Sequence, residues 1–264
     1  GDHRDLHSFP TRRSSDLSRI IVHNHKGGTG KTMTAVHLAN YLARRGLDLC
    51  VWDADRQNNA INWLTEYQWD GSDTVRLSRE GQAEVVATIR QETALGQDRP
   101  LIIDTPPTDG IVRDLLEAVE LGEKDMLVCP TNGRLAVGGA VKVAEEVAET
   151  GCRLVLLPNM TDPKDEHAQT EIQALEELAA LDRVDAEVFQ LAIPWNDRYM
   201  RRAEEQGVPI WDLSHANRTH TGKALRAFCE WIARGAPPEE NPPTEKEPDH
   251  RGPISEDLQD RLWN

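Results

Sequence analysis

Apolar residues in this chain fall into short unbroken runs separated by longer amphipathic stretches. Arg19–His25 (RIIVHNH) is an apolar run that ends in a glycine-rich turn. Thr32–Arg45 then carries helical spacing through Val36, Leu38 and Leu42 until Gly46 stops it. Leu47–Asp53 (LDLCVWD), Leu101–Asp104, Met126–Cys129 and Leu154–Leu157 read as further buried strands. Between and after them, helical stretches are expected at Ala83–Thr93, Ile111–Leu121, Ala136–Thr150, Thr170–Leu181 and Lys223–Arg234. Strands that are apolar on both faces and alternate with helices predict an α/β fold, a mainly parallel twisted sheet with helices on both sides. Such a sheet takes its ligands beyond the carboxyl ends of the strands.

The two ends of the chain depart from this pattern. Gly1–Leu17 (GDHRDLHSFPTRRSSDL) has neither periodicity, and it resembles a translated reading frame of a common sequencing-library adapter. Residues 1–17 are therefore expected to be an artefactual leader, with a natural basic arm as the alternative, and the natural protein is expected to start just before Ser18. Residues 18–235 form the expected folded domain. Residues 236–264 place Pro237, Pro238, Pro242, Pro243 and Pro248 among glutamates, with eight acids against Lys246, Arg251 and Arg261. That composition is too polar to pack and predicts a disordered acidic tail. Ile254, Leu258, Leu262 and Trp263 keep helical spacing, which leaves docking on a partner open.

Composition narrows the function classes. No apolar run approaches the roughly 18 residues of a membrane span. The four cysteines, Cys50, Cys129, Cys152 and Cys229, stand far apart, which suits core positions in a reducing cytosol better than a disulfide scaffold or zinc ribbon. The formal net charge of −15 excludes nucleic-acid binding by bulk attraction, so any DNA contact needs a local basic patch.

The chemistry concentrates in Lys26-Gly27-Gly28-Thr29-Gly30-Lys31-Thr32, directly after a strand and opening a helix. Phosphates need inward-pointing backbone N–H groups, and glycines let a loop curl around them. In such a loop Lys31 reaches the β- and γ-phosphates and the Thr32 hydroxyl binds Mg²⁺. An acid ends each of two later strands. Asp53-Ala54-Asp55-Arg56-Gln57-Asn58-Asn59 follows the second, and Leu101-Ile102-Ile103-Asp104-Thr105-Pro106-Pro107 is an apolar strand closing on Asp104. A carboxylate at a strand's end can orient water, although phosphoryl transfer needs positioning more than a strong base. A solvated acidic turn is the alternative for the first.

These motifs, in this order, resemble the ParA/MinD class of deviant Walker A P-loop ATPases over roughly Arg19–Arg234. The resemblance implies a P-loop NTPase architecture, ATP and Mg²⁺ as cofactors, and hydrolysis of ATP. It implies that Lys26 crosses a nucleotide-sandwich homodimer to the partner's phosphates, and that Asp55 positions the attacking water and the Mg²⁺ shell while Asp53 supports the loop. It implies further that Asp104 holds the Mg²⁺ shell and that Thr105–Gly110 forms a segment sensing the γ-phosphate. Arg56 stands where the family usually has proline. Asn159 falls where the family places a base-contacting Asn, and Pro194 with Trp195 where a later loop walls the base; Trp195 reads equally as a core or surface aromatic.

Within the class, the chain resembles the short ParA type of plasmid or chromosome partition, a cytoplasmic ATPase that associates with the nucleoid when ATP-bound. That type binds DNA non-specifically and is stimulated by a ParB-like centromere-binding partner. Iron–sulfur relatives need bridging cysteines that this spacing does not offer. Kinases of the class carry a tyrosine-rich tail, but Tyr41, Tyr67 and Tyr199 are the only tyrosines, and the acidic tail is unlike a membrane-binding helix. The stretch from Asp197 to Arg226 is net positive, and Arg198, Arg201 and Arg202 share a helical face as candidate DNA contacts. A helix salt-bridged through Glu204 and Glu205 is the alternative, and a positioning or scaffold ATPase for a non-DNA cargo is the alternative function.

Overall fold

A computed structural model of the chain describes residues 19–55, 57–66, 74–76, 100–107, 121–148, 150–162, 164–182 and 184–234. The expected leader, Arg56, the expected helix at 83–93, all but the last residue of the one expected at 111–121, and the acidic tail lie outside the described residues. The elements are β1 (Arg19–Val22), α1 (Lys31–Arg44), β2 (Cys50–Asp53), α2 (Asn59–Glu66), β3 (Thr74–Arg76), β4 (Leu101–Asp104) and β5 (Met126–Thr131). They continue as α3 (Arg134–Val147), β6 (Arg153–Pro158), α4 (Glu166–Ala179), β7 (Ala186–Val188), α5 (Asp197–Glu205) and α6 (His220–Arg234), with single 3₁₀ turns at Ile210–Asp212 and Ala216–Arg218.

The seven strands run in the order β3-β2-β4-β1-β5-β6-β7, and every paired neighbour is parallel. Alternation along each strand divides the core between the two faces. Ile20, Val22, Val51, Ile102, Val128 and Val155 face α1, α2 and α6. Ile21, Trp52, Ile103, Leu127 and Leu154 face α3 and α4. Burial on both sides is what the unbroken apolar runs require. Two strands are shorter than their runs. β1 stops at Val22, the partner of Asp104, because β4 ends there, and β2 starts only at Cys50, opposite the first residue of β4.

This order fixes the site. β1 lies between β4 and β5, with β2 beyond β4, so successive connections leave β1 in opposite directions and open a crevice at its carboxyl end. Asp53 and Asp104 are cross-strand partners at that same edge.

Helix α1 is buried along most of its length because α6 covers the side that the sheet does not. Inside that layer, His37 is fully buried. Its Nδ1 donates to the Met33 carbonyl at 2.7 Å, and its Nε2 accepts from the Ile210 N–H at 3.0 Å. A proton on Nε2 would set donor against donor, so the ring is neutral. Burial pushes its pKa down to about 4, against the pull of the Met33 carbonyl and Asp212. With the folded value below the unfolded one, this contribution to stability is complete above about pH 6.5. It is lost as pH falls towards 4, by about 3 kcal/mol. Chemical unfolding between pH 7.5 and 4.5 is expected to show that loss, and His37→Gln to flatten this part of the profile.

Candidate functional site

Residues 23–30 leave β1 and curl over the sheet edge before α1 begins. Gly28 (φ 76°) and Gly30 (φ 87°) take left-handed backbone that only glycine adopts without strain. Gly30 is held further by its surroundings, since a Cβ there would sit 2.3 Å from Asn159 Nδ2. Lys31, 7% exposed, lays its ammonium against the loop's own carbonyls, 3.2 Å from Asn24 O and 3.1 Å from Lys26 O. Burial lowers its pKa, while Asp104, Cys129 and Asp55 pull the other way.

Two buried asparagines pin this loop. Asn24 donates its amide to the carbonyls of Pro130 (2.9 Å) and Ala136 (3.0 Å), and its Oδ1 accepts from the Lys26 N–H at 2.8 Å. The loop is thereby tied to the start of α3. Asn159 donates to Thr29 O at 2.7 Å and is fully buried. It does not line the cavity beside the loop, so the amide expected to meet a base is engaged in holding the loop. The space around Asn24 is strict, because a Cβ on Gly139 would meet its Oδ1 at 2.2 Å whereas one on Gly138 meets nothing within 4 Å. Gly138→Ala is expected to raise stability by about 0.5–1 kcal/mol through helix propensity. Gly139→Ala should lower stability and weaken nucleotide binding, because Asn24 must release the loop. Urea unfolding and nucleotide titration of the pair check this.

The carboxylates line up along the strand ends. Asp53, fully buried, accepts from the N–H of Asp55 at 3.0 Å and of Ile61 at 3.2 Å, so it anchors the turn and the first residues of α2. Burial raises its pKa although these backbone hydrogen bonds oppose the shift. Asp55 accepts from the Gln57 N–H at 3.0 Å and reaches the cavity. Asp104 is fully buried, and neither of its oxygens has a hydrogen bond of normal geometry among the described residues. Burial and then the neighbouring Asp53 push its pKa up to about 8, with the Thr32 hydroxyl and Lys31 pulling down. The next residue, Thr105, donates to Val22 O at 3.0 Å and lies 2.6 Å from His23 Nδ1.

A cavity of about 560 Å³ opens beside the loop. It is lined by Gly27, Gly28, Gly30, Lys31 and Thr32 of the loop and first turn of α1, by Asp55 and Pro107, and by Met33, Trp63, Met160, Trp195 and Met200 together with the polar Gln57, Asn59, Asn62 and Glu204. Pro194 is absent from this lining; its carbonyl accepts from the Thr221 hydroxyl at 2.6 Å, and the neighbouring Trp195, 46% exposed, forms the wall instead. Lys26 is exposed and also absent from the lining. A lysine and a glycine-rich loop together with apolar and aromatic lining residues suit a polyphosphate with a heterocyclic base. The donors suit Mg²⁺. A hydroxyl beside two carboxylates is a hard oxygen set, and Mg²⁺ is held by one or two carboxylates together with phosphates rather than by an all-protein cage.

On α5, Arg198, Arg201 and Arg202 are all exposed while Met200 and Ala203 are buried. Arg201 pairs with Asp197 at 2.8 Å, one turn earlier, and Arg198 lies over the Tyr199 ring. Cys129, Cys152 and Cys229 are buried, and burial raises all three thiol pKa values, those of Cys129 and Cys152 to about 12. No helix among the described residues is long and apolar enough to cross a membrane. Sequence reasoning missed Asn24 and Gly139. Asn24 lies between two histidines before the glycine loop, and no local spacing links it to residues more than a hundred positions away.

Comparison with known proteins agrees with this geometry. The chain is 29% identical to the maintenance of carboxysome distribution protein A of Gloeobacter kilaueensis, over 95% of this chain and 98% of that protein. It is 52% identical over 48 residues to the chromosome-partitioning ATPase Soj of Thermus thermophilus, a stretch covering 18% of this chain and 19% of Soj. Its fold matches an ATP complex of a Cyanothece McdA variant with a TM-score of 0.62 at 16% identity, over 86% of this chain and 99% of that one. The family described as the CobQ/CobB/MinD/ParA nucleotide binding domain matches residues 20–210, and the chain belongs to this family, as a ParA/MinD-class P-loop protein.

Proposed function

We propose that this chain is an ATP-dependent DNA-segregation ATPase. Its ATP-bound sandwich homodimer binds DNA non-specifically, and it hydrolyses ATP when stimulated by a ParB-like partner. The observation that carries the reading is the convergence of Lys31, Thr32 and Asp55 on one cavity, with the buried Asp104 carboxyl close behind Lys31 and Thr32 at the end of β4. ATP and Mg²⁺ are its cofactors. The catalytic domain is residues 18–235, working in the cytoplasm and on the nucleoid when ATP is bound.

Each residue has a part in this mechanism. The N–H groups from Gly27 to Thr32 wrap the phosphates, and Lys31 exchanges its two carbonyl partners for phosphate oxygens. Thr32 and Asp104 would hold Mg²⁺, which would supply charge neutralisation at the transferred phosphoryl group. Asp55 orients the attacking water. Lys26, exposed and outside the chain's own cavity, reaches the phosphates of a second copy, so competence requires the dimer. The wall of Trp63 and Trp195 excludes water around the base. Asn159 and Asn24 keep the loop in register.

A specific observation favours a second reading, a positioning ATPase for a non-DNA cargo: the near full-length similarity is to a carboxysome-distribution protein, whereas the similarity to Soj spans 48 residues. Co-sedimentation with duplex DNA at low and moderate salt, with ATP, ADP or no nucleotide, tests the proposal. Salt-sensitive binding that appears with ATP and is lost in Arg198→Ala/Arg201→Ala/Arg202→Ala and in Lys31→Ala is expected. ATP binding without DNA binding moves the function to the second reading.

A further inference from the structure

A second cavity, of about 290 Å³, lies at the carboxyl end of α1, where that helix meets the 3₁₀ turn at Ile210–Asp212 and helix α6. Its polar lining is dominated by guanidinium groups, from Arg44 and Arg45 at the end of α1 and from Arg226 on α6. One carboxylate answers them. Asp212 takes Arg44 in a two-point ion pair, with Nη1 at 2.8 Å from Oδ1. Arg45 lies over the Tyr41 ring, 6.0 Å from its centroid. Neither Arg45 nor Arg226 has a carboxylate partner among the described residues, and both are exposed. Arg218 and Lys223, also exposed, lie between Asp212 and Arg226 in the sequence.

The back wall of the cavity is rigid. Trp211 donates its indole N–H to Asn40 Oδ1 at 3.2 Å, and its carbonyl accepts from the Asn217 amide at 3.0 Å. His37 packs edge-on against Trp211 at 5.2 Å and against Trp63 at 5.5 Å, and Trp63 lines the nucleotide cavity. The two cavities therefore share one continuous ring-packed wall through α1.

Guanidinium groups present planar pairs of donors that match phosphate oxygens, and a ring beneath one of them fixes its plane. In a chain of net charge −15, a recess with two uncompensated arginines is a local reversal of sign suited to anions. We propose that this cavity seats backbone phosphates of duplex DNA, with Arg45 and Arg226 as the contacting residues and Arg44, held by Asp212, as a fixed flank. The inference rests on the DNA-binding reading above and adds a contact surface separate from the α5 arginines.

The test is DNA affinity as a function of salt for the full chain with Mg·ATP, comparing wild type, Arg45→Ala/Arg226→Ala and Arg45→Lys/Arg226→Lys. Each lost phosphate contact lowers the slope of log affinity against log salt by about 0.9. The alanine pair is therefore expected to reduce the slope by about 2 per protomer and the affinity by about tenfold at moderate salt. The lysine pair should keep most of the slope, which separates lost charge from altered packing, and Mg·ATP binding should be unchanged in both. Unchanged DNA affinity and slope in the alanine pair, beside a wild type that binds DNA, overturn this site alone. A wild type that binds no DNA with ATP overturns the reading beneath it and the site together.

Discussion

Asp104→Asn is expected to make the nucleotide-free protein more stable at pH 7.5 while lowering its Mg²⁺-dependent ATPase activity by about 10–100-fold. The wild-type carboxyl is fully buried, neither oxygen has a hydrogen bond of normal geometry among the described residues, and burial with the neighbouring Asp53 pushes its pKa up to about 8. With the folded value above the unfolded one, the favourable contribution is complete only below about pH 4. It is lost as pH rises through 8, because folding then holds a proton that the unfolded chain releases. At pH 7.5 that cost amounts to several kcal/mol, on the order of 1.4 for each pH unit above the unfolded value. Asparagine does not titrate. Thermal unfolding should therefore separate the two proteins at pH 7.5 and bring their stabilities together towards pH 4. A gain in stability coupled to a loss of activity marks a residue kept for its ligand rather than for the fold.

Gly30→Ala should be the most damaging substitution in the loop. The new side chain faces left-handed backbone, which costs an L-residue about 1–2 kcal/mol. Its Cβ also falls 2.3 Å from Asn159 Nδ2, so the buried hydrogen bond to Thr29 O must open, at about 1–3 kcal/mol more. Gly28→Ala carries the backbone cost alone, since nothing lies within 4 Å of a Cβ there. Urea unfolding should rank wild type above Gly28→Ala and Gly28→Ala above Gly30→Ala. Nucleotide titration should find binding lost in Gly30→Ala.

The sheet and the loop were legible in the sequence because both are written locally. An apolar run between helical patterns needs only its own residues to declare a buried strand: the runs at 101–104, 126–129 and 154–157 lie within observed strands, and the run from Leu47 contains β2. The glycine loop likewise carries its lysine and threonine in one segment. Short elements were less visible. α2 (Asn59–Glu66) and β7 (Ala186–Val188) are too brief for periodicity to separate from loop, and β7 is only half-buried at the sheet's edge. The site's supports were not legible at all. Asn24 acts on Pro130 and Ala136, and Asn159 acts on Thr29, across separations that only the topology closes. Of Pro194 and Trp195, only Trp195 lines the cavity, and the Thr221 hydroxyl of α6 holds the Pro194 carbonyl from far along the chain. The arginine cavity joins the end of α1 to α6 in the same way.

The central claim is that the cavity beside the 26–32 loop binds ATP together with Mg²⁺ through Lys31 and Asp104. Calorimetric titration of ATP into the full chain, with and without Mg²⁺, measures this directly in wild type, Lys31→Ala and Asp104→Asn. The account predicts one site per chain in wild type that tightens when Mg²⁺ is present, no binding in Lys31→Ala, and binding insensitive to Mg²⁺ in Asp104→Asn. Equal binding in wild type and Lys31→Ala, or a wild type indifferent to Mg²⁺, would contradict it.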